Sequence, residues 1–114
     1  MQSKYFTEEE QRETLGGSYK PNANLQFRTY KYKNGSQYSG EWKGGFREGK
    51  GVMVWNDGAK YDGQWKDGQA HGLGKFFHID GDIYDGNWCN NKANGYGVYL
   101  NVKGARYEGQ WRDD

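Results

Sequence analysis

The chain is poor in the residues that usually anchor a small fold or a reaction: one Cys, one Pro and two His among 114 residues. A lone thiol, Cys89, closes no internal disulfide, which excludes a disulfide framework and fits a reducing compartment. Cys89, His71 and His78 do not form a zinc-ligand set of the usual spacing, so no metal is expected. No apolar run approaches the ~18 residues of a membrane-spanning helix. Met1-Gln2-Ser3-Lys4 opens on no secretory-type apolar stretch, and the expectation is a soluble, cytoplasmic protein. One-sided charge is absent too. Lys and Arg number 16 against 15 Asp and Glu, and a net charge of +1 gives no field to attract nucleic acid. Hydrophobic residues make up only 33%, with a mean hydropathy of −1.25, values that alone point to disorder.

What the chain has instead is 18% aromatic residues and 19 glycines, and they stand in columns. Tyr38-Ser39-Gly40-Glu41-Trp42 returns as Tyr61-Asp62-Gly63-Gln64-Trp65, Tyr84-Asp85-Gly86-Asn87-Trp88 and Tyr107-Glu108-Gly109-Gln110-Trp111, at a period of 23. Between them recur Gly49-Lys50-Gly51, Gly72-Leu73-Gly74 and Gly95-Tyr96-Gly97. A third glycine closes each block at Gly35, Gly58, Gly81 and Gly104. A fixed period of this length marks an array of identical supersecondary units, each too small to bury its own apolar face. Concentrating that face in large rings overrides the low hydropathy, because each buried ring contributes roughly 1.5–3 kcal/mol.

Two segments follow. Residues 1–26 lie outside the repeat. Thr7-Glu8-Glu9-Glu10 has the form of a capping box, so a short helix is expected over about 8–14, stopped by Gly16-Gly17 and followed by a loop containing Pro21. Tyr5 and Phe6 are its candidate anchors. Three places are open to this segment: the chain's own concave face, a second protein, or solvent. Residues 27–114 form the array, as a partial unit, three full units and a partial unit. The expected strands are Tyr38–Trp42 with Gly51–Trp55, Tyr61–Trp65 with Gly74–His78, and Tyr84–Trp88 with Gly97–Asn101. Asn34-Gly35, Asp57-Gly58 and Asp80-Gly81 read as two-residue hairpin turns needing positive φ. The other connection, such as Lys43–Glu48, reads as longer. With the partial units there are about eight strands, extending ~35 Å at the usual spacing. The array stops partway through a unit at Trp111, leaving an open edge, and a longer array is expected.

Side chains alternate along a strand, so Tyr38, Gly40 and Trp42 share one face while Ser39 and Glu41 share the other. Glycine between the two rings leaves bare backbone for a neighbouring ring. Gly40, Gly49, Gly51, Gly63, Gly72, Gly74, Gly86, Gly95, Gly97 and Gly109 are therefore read as structural. Ser39, Glu41, Asp62, Gln64, Asp85, Asn87, Glu108 and Gln110 fall on the polar face. There Glu41→Ala is expected to cost no more than ~0.5 kcal/mol.

Tyr-x-Gly-x-Trp, a loop, Gly-x-Gly and Asp-Gly at this period resemble the MORN (membrane occupation and recognition nexus) repeat family, over roughly residues 27–114. The resemblance implies an all-β, single-layer antiparallel sheet of tandem hairpins forming an elongated, twisted trough. It also implies a scaffold in cytoskeletal, ciliary or membrane-associated assemblies. The groove expected to receive an amphipathic helix or extended peptide is lined by Tyr30, Tyr32, Tyr38, Trp42, Met53, Trp55, Tyr61, Trp65, Phe76, His78, Tyr84, Trp88, Tyr99, Tyr107 and Trp111. The same rings can equally be the core of a thin sheet, and both readings stay open here. The alternative guest is anionic phospholipid. Its basic rows, Lys43/Lys66/Cys89/Arg112 and Gln37/Lys60/Ile83/Arg106, both break in the third full unit. No enzyme and no cofactor are expected. Gly49-Lys50-Gly51 lacks the Gly-Lys-Ser/Thr of a phosphate loop and recurs with the period. Asp62 and Asp85 are spaced by the array, not by acid–base chemistry.

Overall fold

The computed structural model describes residues 5–15 and 24–113. The expected helix stop and the Pro21 loop lie outside the described residues. One helix, α1 (Glu8–Leu15), precedes eight strands: β1 (Leu25–Lys31), β2 (Gln37–Lys43), β3 (Phe46–Val54), β4 (Lys60–Lys66), β5 (Gln69–Phe77), β6 (Ile83–Cys89), β7 (Lys92–Leu100) and β8 (Arg106–Trp111). The strands form a single antiparallel sheet in chain order, so every neighbour in sequence is a neighbour in space. The molecule measures 44 × 26 × 21 Å. The first strand begins at Leu25, two positions ahead of the expected array start at 27.

Both connections differ from the sequence expectation. Tyr32 N donates to Ser36 O and Gly35 N to Tyr32 O, a three-residue loop in which only Gly35 takes a positive φ, of 92°. Gly58 and Gly81 repeat this at 98° and 102°. Asn34, Asp57 and Asp80 therefore need no left-handed backbone; the Asn34 and Asp57 side chains instead accept from the N–H two residues on, at 2.9 Å each. The two-residue turns lie at the other connection, where Lys66 pairs with Gln69 and Cys89 with Lys92. Asp67 and Gly68 stand at φ 51° and 83°, and Asn90 and Asn91 at 51° and 70°, the double-positive geometry that matches strand twist. The odd-numbered strands from β3 to β7 are thereby longer than expected, at 9 residues each.

Those long strands keep register through a bulge. Gly40 pairs with Gly51 but Trp42 pairs with Arg47, so the second strand of the hairpin carries extra residues between them. Gly49 sits in that bulge at φ 77°, and Gly72 and Gly95 sit in its counterparts. The first glycine of Gly-x-Gly thus serves the bulge. The second serves close packing: a Cβ on Gly51 would overlap the Tyr38 ring. Gly40, Gly51, Gly63, Gly74, Gly86, Gly97 and Gly109 pair successively, forming a line of bare backbone across the sheet. Two positions along their strands, Tyr30, Tyr38, Met53, Tyr61, Phe76, Tyr84, Tyr99 and Tyr107 form the adjoining row of apolar side chains. The core lies on this face, between the sheet and the segment comprising Tyr5, Phe6 and α1.

Candidate functional site: an aromatic trough and its occupant

The wall of the trough is built the same way in each unit. The Tyr38 hydroxyl donates to Glu41 O at 2.8 Å, Tyr61 to Gln64 O at 2.8 Å and Tyr84 to Asn87 O at 2.9 Å, which lays each ring along the glycine line. The Trp indole N–H then reaches the preceding strand: Trp65 Nε1 donates to Gly51 O at 3.1 Å, Trp88 to Gly74 O at 3.0 Å and Trp111 to Gly97 O at 3.0 Å. Each Tyr meets two indoles edge-on, its own unit's and the next one's. For Tyr38 the ring centroids are 4.9 Å from Trp42 and 5.3 Å from Trp65; for Tyr61 they are 5.1 Å from Trp65 and 5.0 Å from Trp88. Edge-to-face packing of this kind adds roughly 0.5–1.5 kcal/mol per pair beyond area burial. Burial pushes the Tyr38 and Tyr61 hydroxyls well above the usual phenol range, so they act as donors and not as acids.

The trough is occupied. Phe6, only 9% exposed, sits with its ring centroid 4.8 Å from Trp55, 5.5 Å from Tyr61, 5.8 Å from both Trp65 and Trp88, and 6.1 Å from Phe76. Tyr5 packs on Trp55 and Phe76 and donates to Asp57 Oδ2 at 2.5 Å. Thr7 Oγ1 accepts from Glu10 N at 3.3 Å and starts α1. Of the three destinations open to residues 1–26, the stretch 5–15 takes the chain's own aromatic face.

Past the rings, α1 makes polar contacts that the sequence analysis did not anticipate. Glu10 and Arg47 are each 1% exposed. Glu10 Oε2 accepts from Asn34 Nδ2 at 2.8 Å and Ser36 Oγ at 3.1 Å, and its Oε1 lies 3.8 Å from Arg47 Nη1. Arg47 Nη2 donates to Gly68 O at 2.7 Å, and the guanidinium lies 4.7 Å over the Trp65 ring. Glu13 Oε2 accepts from the Tyr30 hydroxyl at 2.8 Å and from Lys33 N at 3.2 Å. The bond to Glu13 pushes the Tyr30 hydroxyl up. A signal for this cluster did exist. Arg47 stands where the next two units carry Ala70 and Ala93, both buried, and Ser36 stands where the next carries Ala59.

The residues expected to line the groove do come together. Tyr32, Tyr38, Trp42, Met53, Trp55, Tyr61, Trp65, Phe76, Tyr84 and Trp88 are buried. Tyr30, Tyr99 and Trp111 are partly buried against them, and His78 packs 4.7 Å from Phe76. Tyr107, at 57% exposed, is the least covered. Near that end, Asp82 Oδ2 accepts from the Tyr99 hydroxyl at 2.6 Å, and its other oxygen accepts from Val102 N at 2.8 Å. The Tyr99 bond holds Asp82 below its ordinary carboxylate value. No group of three or more His, Cys, Asp or Glu able to hold a metal occurs among the described residues, and no helix among them is long and apolar enough to cross a membrane.

On the polar face, Glu41 is not the bystander expected. Its Oε1 accepts from Lys50 N in the bulge at 2.8 Å, and Gln64 Oε1 does the same for Leu73 N. The expectation that truncating it is nearly free is therefore revised upward.

Among known families, the MORN repeat model matches residues 38–60, 61–83, 84–106 and 107–114. Among curated proteins none matches the chain.

Proposed function

Because the chain belongs to the MORN repeat family, whose repeats are generally interaction or membrane-binding modules, we propose that it is a non-catalytic scaffold whose aromatic trough receives a helical or extended segment of a partner protein. The observation that carries this reading is the occupant itself. A short helix led by two rings already lies in the trough, and its side chains find both apolar and polar seats there. Stiff aromatic walls with few placed polar groups are the chemistry of peptide recognition. The interrupted basic rows at Cys89 and Ile83 favour protein over anionic lipid as the guest. Residence in a cytoskeletal or ciliary assembly within the cytoplasm belongs to the same proposal and rests on the family resemblance.

Site-directed photocrosslinking tests it. A photoreactive residue is placed in the full chain at Tyr30 or Tyr99, on the trough, and at Leu73, on the opposite face, and irradiated in the native cell. A shared partner adduct from the trough positions and none from Leu73 supports the reading. Adducts from Leu73 alone overturn it.

A further inference from the structure

We propose that the β1–β3 end of the trough is a carboxylate receptor: Arg47, Ser36 and Asn34 select a partner segment in which an aromatic residue just ahead of a short helix is followed, four positions later, by a glutamate on that helix. Residues 5–15 are then an internal stand-in for that guest. This rests on the trough being a peptide receptor and specifies what it reads.

Three observations converge. First, the donors come from the sheet, not from the guest. Asn34 belongs to the β1–β2 loop, Ser36 follows it, and Arg47 projects from β3, and all three point at one oxygen pair, that of Glu10. Second, the array departs from its own pattern at Arg47. Its column is filled by the buried Ala70 and Ala93 in the next two units, so packing alone does not call for a guanidinium there. A guanidinium buried among rings is costly without an anion, so a unit that keeps one is built around a carboxylate. Third, the internal fit is incomplete. Arg47 Nε and Nη1 and Glu10 Oε1 make no hydrogen bond among the described residues, and the ion pair stands at 3.8 Å. A cleft of about 260 Å³ between the occupying segment and the sheet, reaching Phe6, Gln11, Arg47 and Gly68, adjoins the guanidinium.

The two seats also fix direction. The ring seat is formed by Trp55, Trp65 and Trp88, and the carboxylate seat by the β1–β2 connection and Arg47 of β3. A guest carrying the ring ahead of the glutamate runs from the middle towards β1. Reversing its sequence order would leave one seat empty. An eight-residue helix has little stability of its own, so α1 depends on these seats and a longer partner helix can displace it.

The test uses the full chain with its own segment weakened by Phe6→Ser and Glu10→Gln, and the same chain with Arg47→Ala added. Fluorescein-labelled peptides of residues 5–15, with Glu10 intact or as Glu10→Gln, are titrated by anisotropy. Ala70 and Ala93 show that alanine suits this column, and circular dichroism confirms the fold of each variant. With Arg47 present, the Glu10 peptide is expected to bind about tenfold tighter than its Gln version, the scale of a charge-assisted hydrogen bond. With Arg47→Ala that ratio falls to near one. The unmodified chain binds the peptide at least about tenfold more weakly than the weakened chain, because its own segment competes. Equal binding of both peptides with Arg47 present overturns the carboxylate receptor while leaving the trough a peptide site. Binding of neither overturns the trough itself and this inference with it. An unmodified chain that runs as a dimer by exchanging residues 5–15 assigns the seat to a second copy and overturns the partner assignment.

Discussion

Phe6→Ala separates the stability of the occupant from that of the sheet. The side chain is 9% exposed and has five rings within 6.1 Å, so its truncation leaves a cavity walled by Trp55, Tyr61, Trp65, Phe76 and Trp88. Phe→Ala in a closed core costs about 3–5 kcal/mol. The trough is open at its sides, which argues for the lower end. Backbone strain does not change the estimate, because Phe6 at φ 55° is as unfavourable for Ala as for Phe. The loss falls on docking and not on the sheet, since the hairpins pair in sequence without help from α1. Native-state hydrogen exchange reads this directly. The amides of Glu10–Leu15 are expected to open about 3 kcal/mol more easily, roughly 150-fold faster, while those of β4 and β5 change little. Indole emission shifts to the red as Trp55 and Trp65 meet water. Unchanged exchange in α1, or an equal loss in the central strands, refutes the reasoning.

Glu41→Ala removes the acceptor for Lys50 N and is expected to cost about 0.5–1.5 kcal/mol in urea denaturation without altering α1 protection; no change in midpoint restores the bystander reading. Gly74→Ala places a methyl group into the Tyr61 ring and is expected to cost about 1–3 kcal/mol, seen as a lower urea midpoint; a midpoint equal to that of the unmodified chain contradicts the close-packing role. Asp82 has a depressed folded-state pKa, so the stability it contributes is present above its unfolded value and lost as pH falls through the folded one. Asp82→Asn should therefore flatten the acid limb of the stability curve below about pH 4; superimposed curves for the two proteins dismiss the Tyr99–Asp82 bond as a source of acid sensitivity.

Much of this architecture is legible in the sequence because side-chain alternation is strict. Tyr38, Gly40 and Trp42 must share a face, and three repetitions of that face make a trough. The connections were harder. Asp57-Gly58 and Asp67-Gly68 are both short, glycine-bearing turn sequences, and which one takes the two-residue turn depends on cross-strand pairing that no local pattern states. The bulge at Gly49 is hidden for the same reason. Phe6 and Glu10 lie outside the repeat, so periodicity is silent about where they dock. Arg47 lies inside it, in a column with Ala70 and Ala93. The difference becomes informative once the two alanines are seen to be buried, because a charge in a closed column demands a counter-charge.

The indole bonds reach backward only: each Trp clasps the carbonyl of the strand before it and covers the tyrosine of the earlier unit. The ribbon is laid like overlapping roof tiles, every course weatherproofing its predecessor. Lifting one tile lets rain beneath the course already laid as well as its own. A fault at Trp88 therefore frees the carbonyl of Gly74 and bares Tyr61 of the earlier course along with its own Tyr84, while the clasp of Trp111 on Gly97 stays closed.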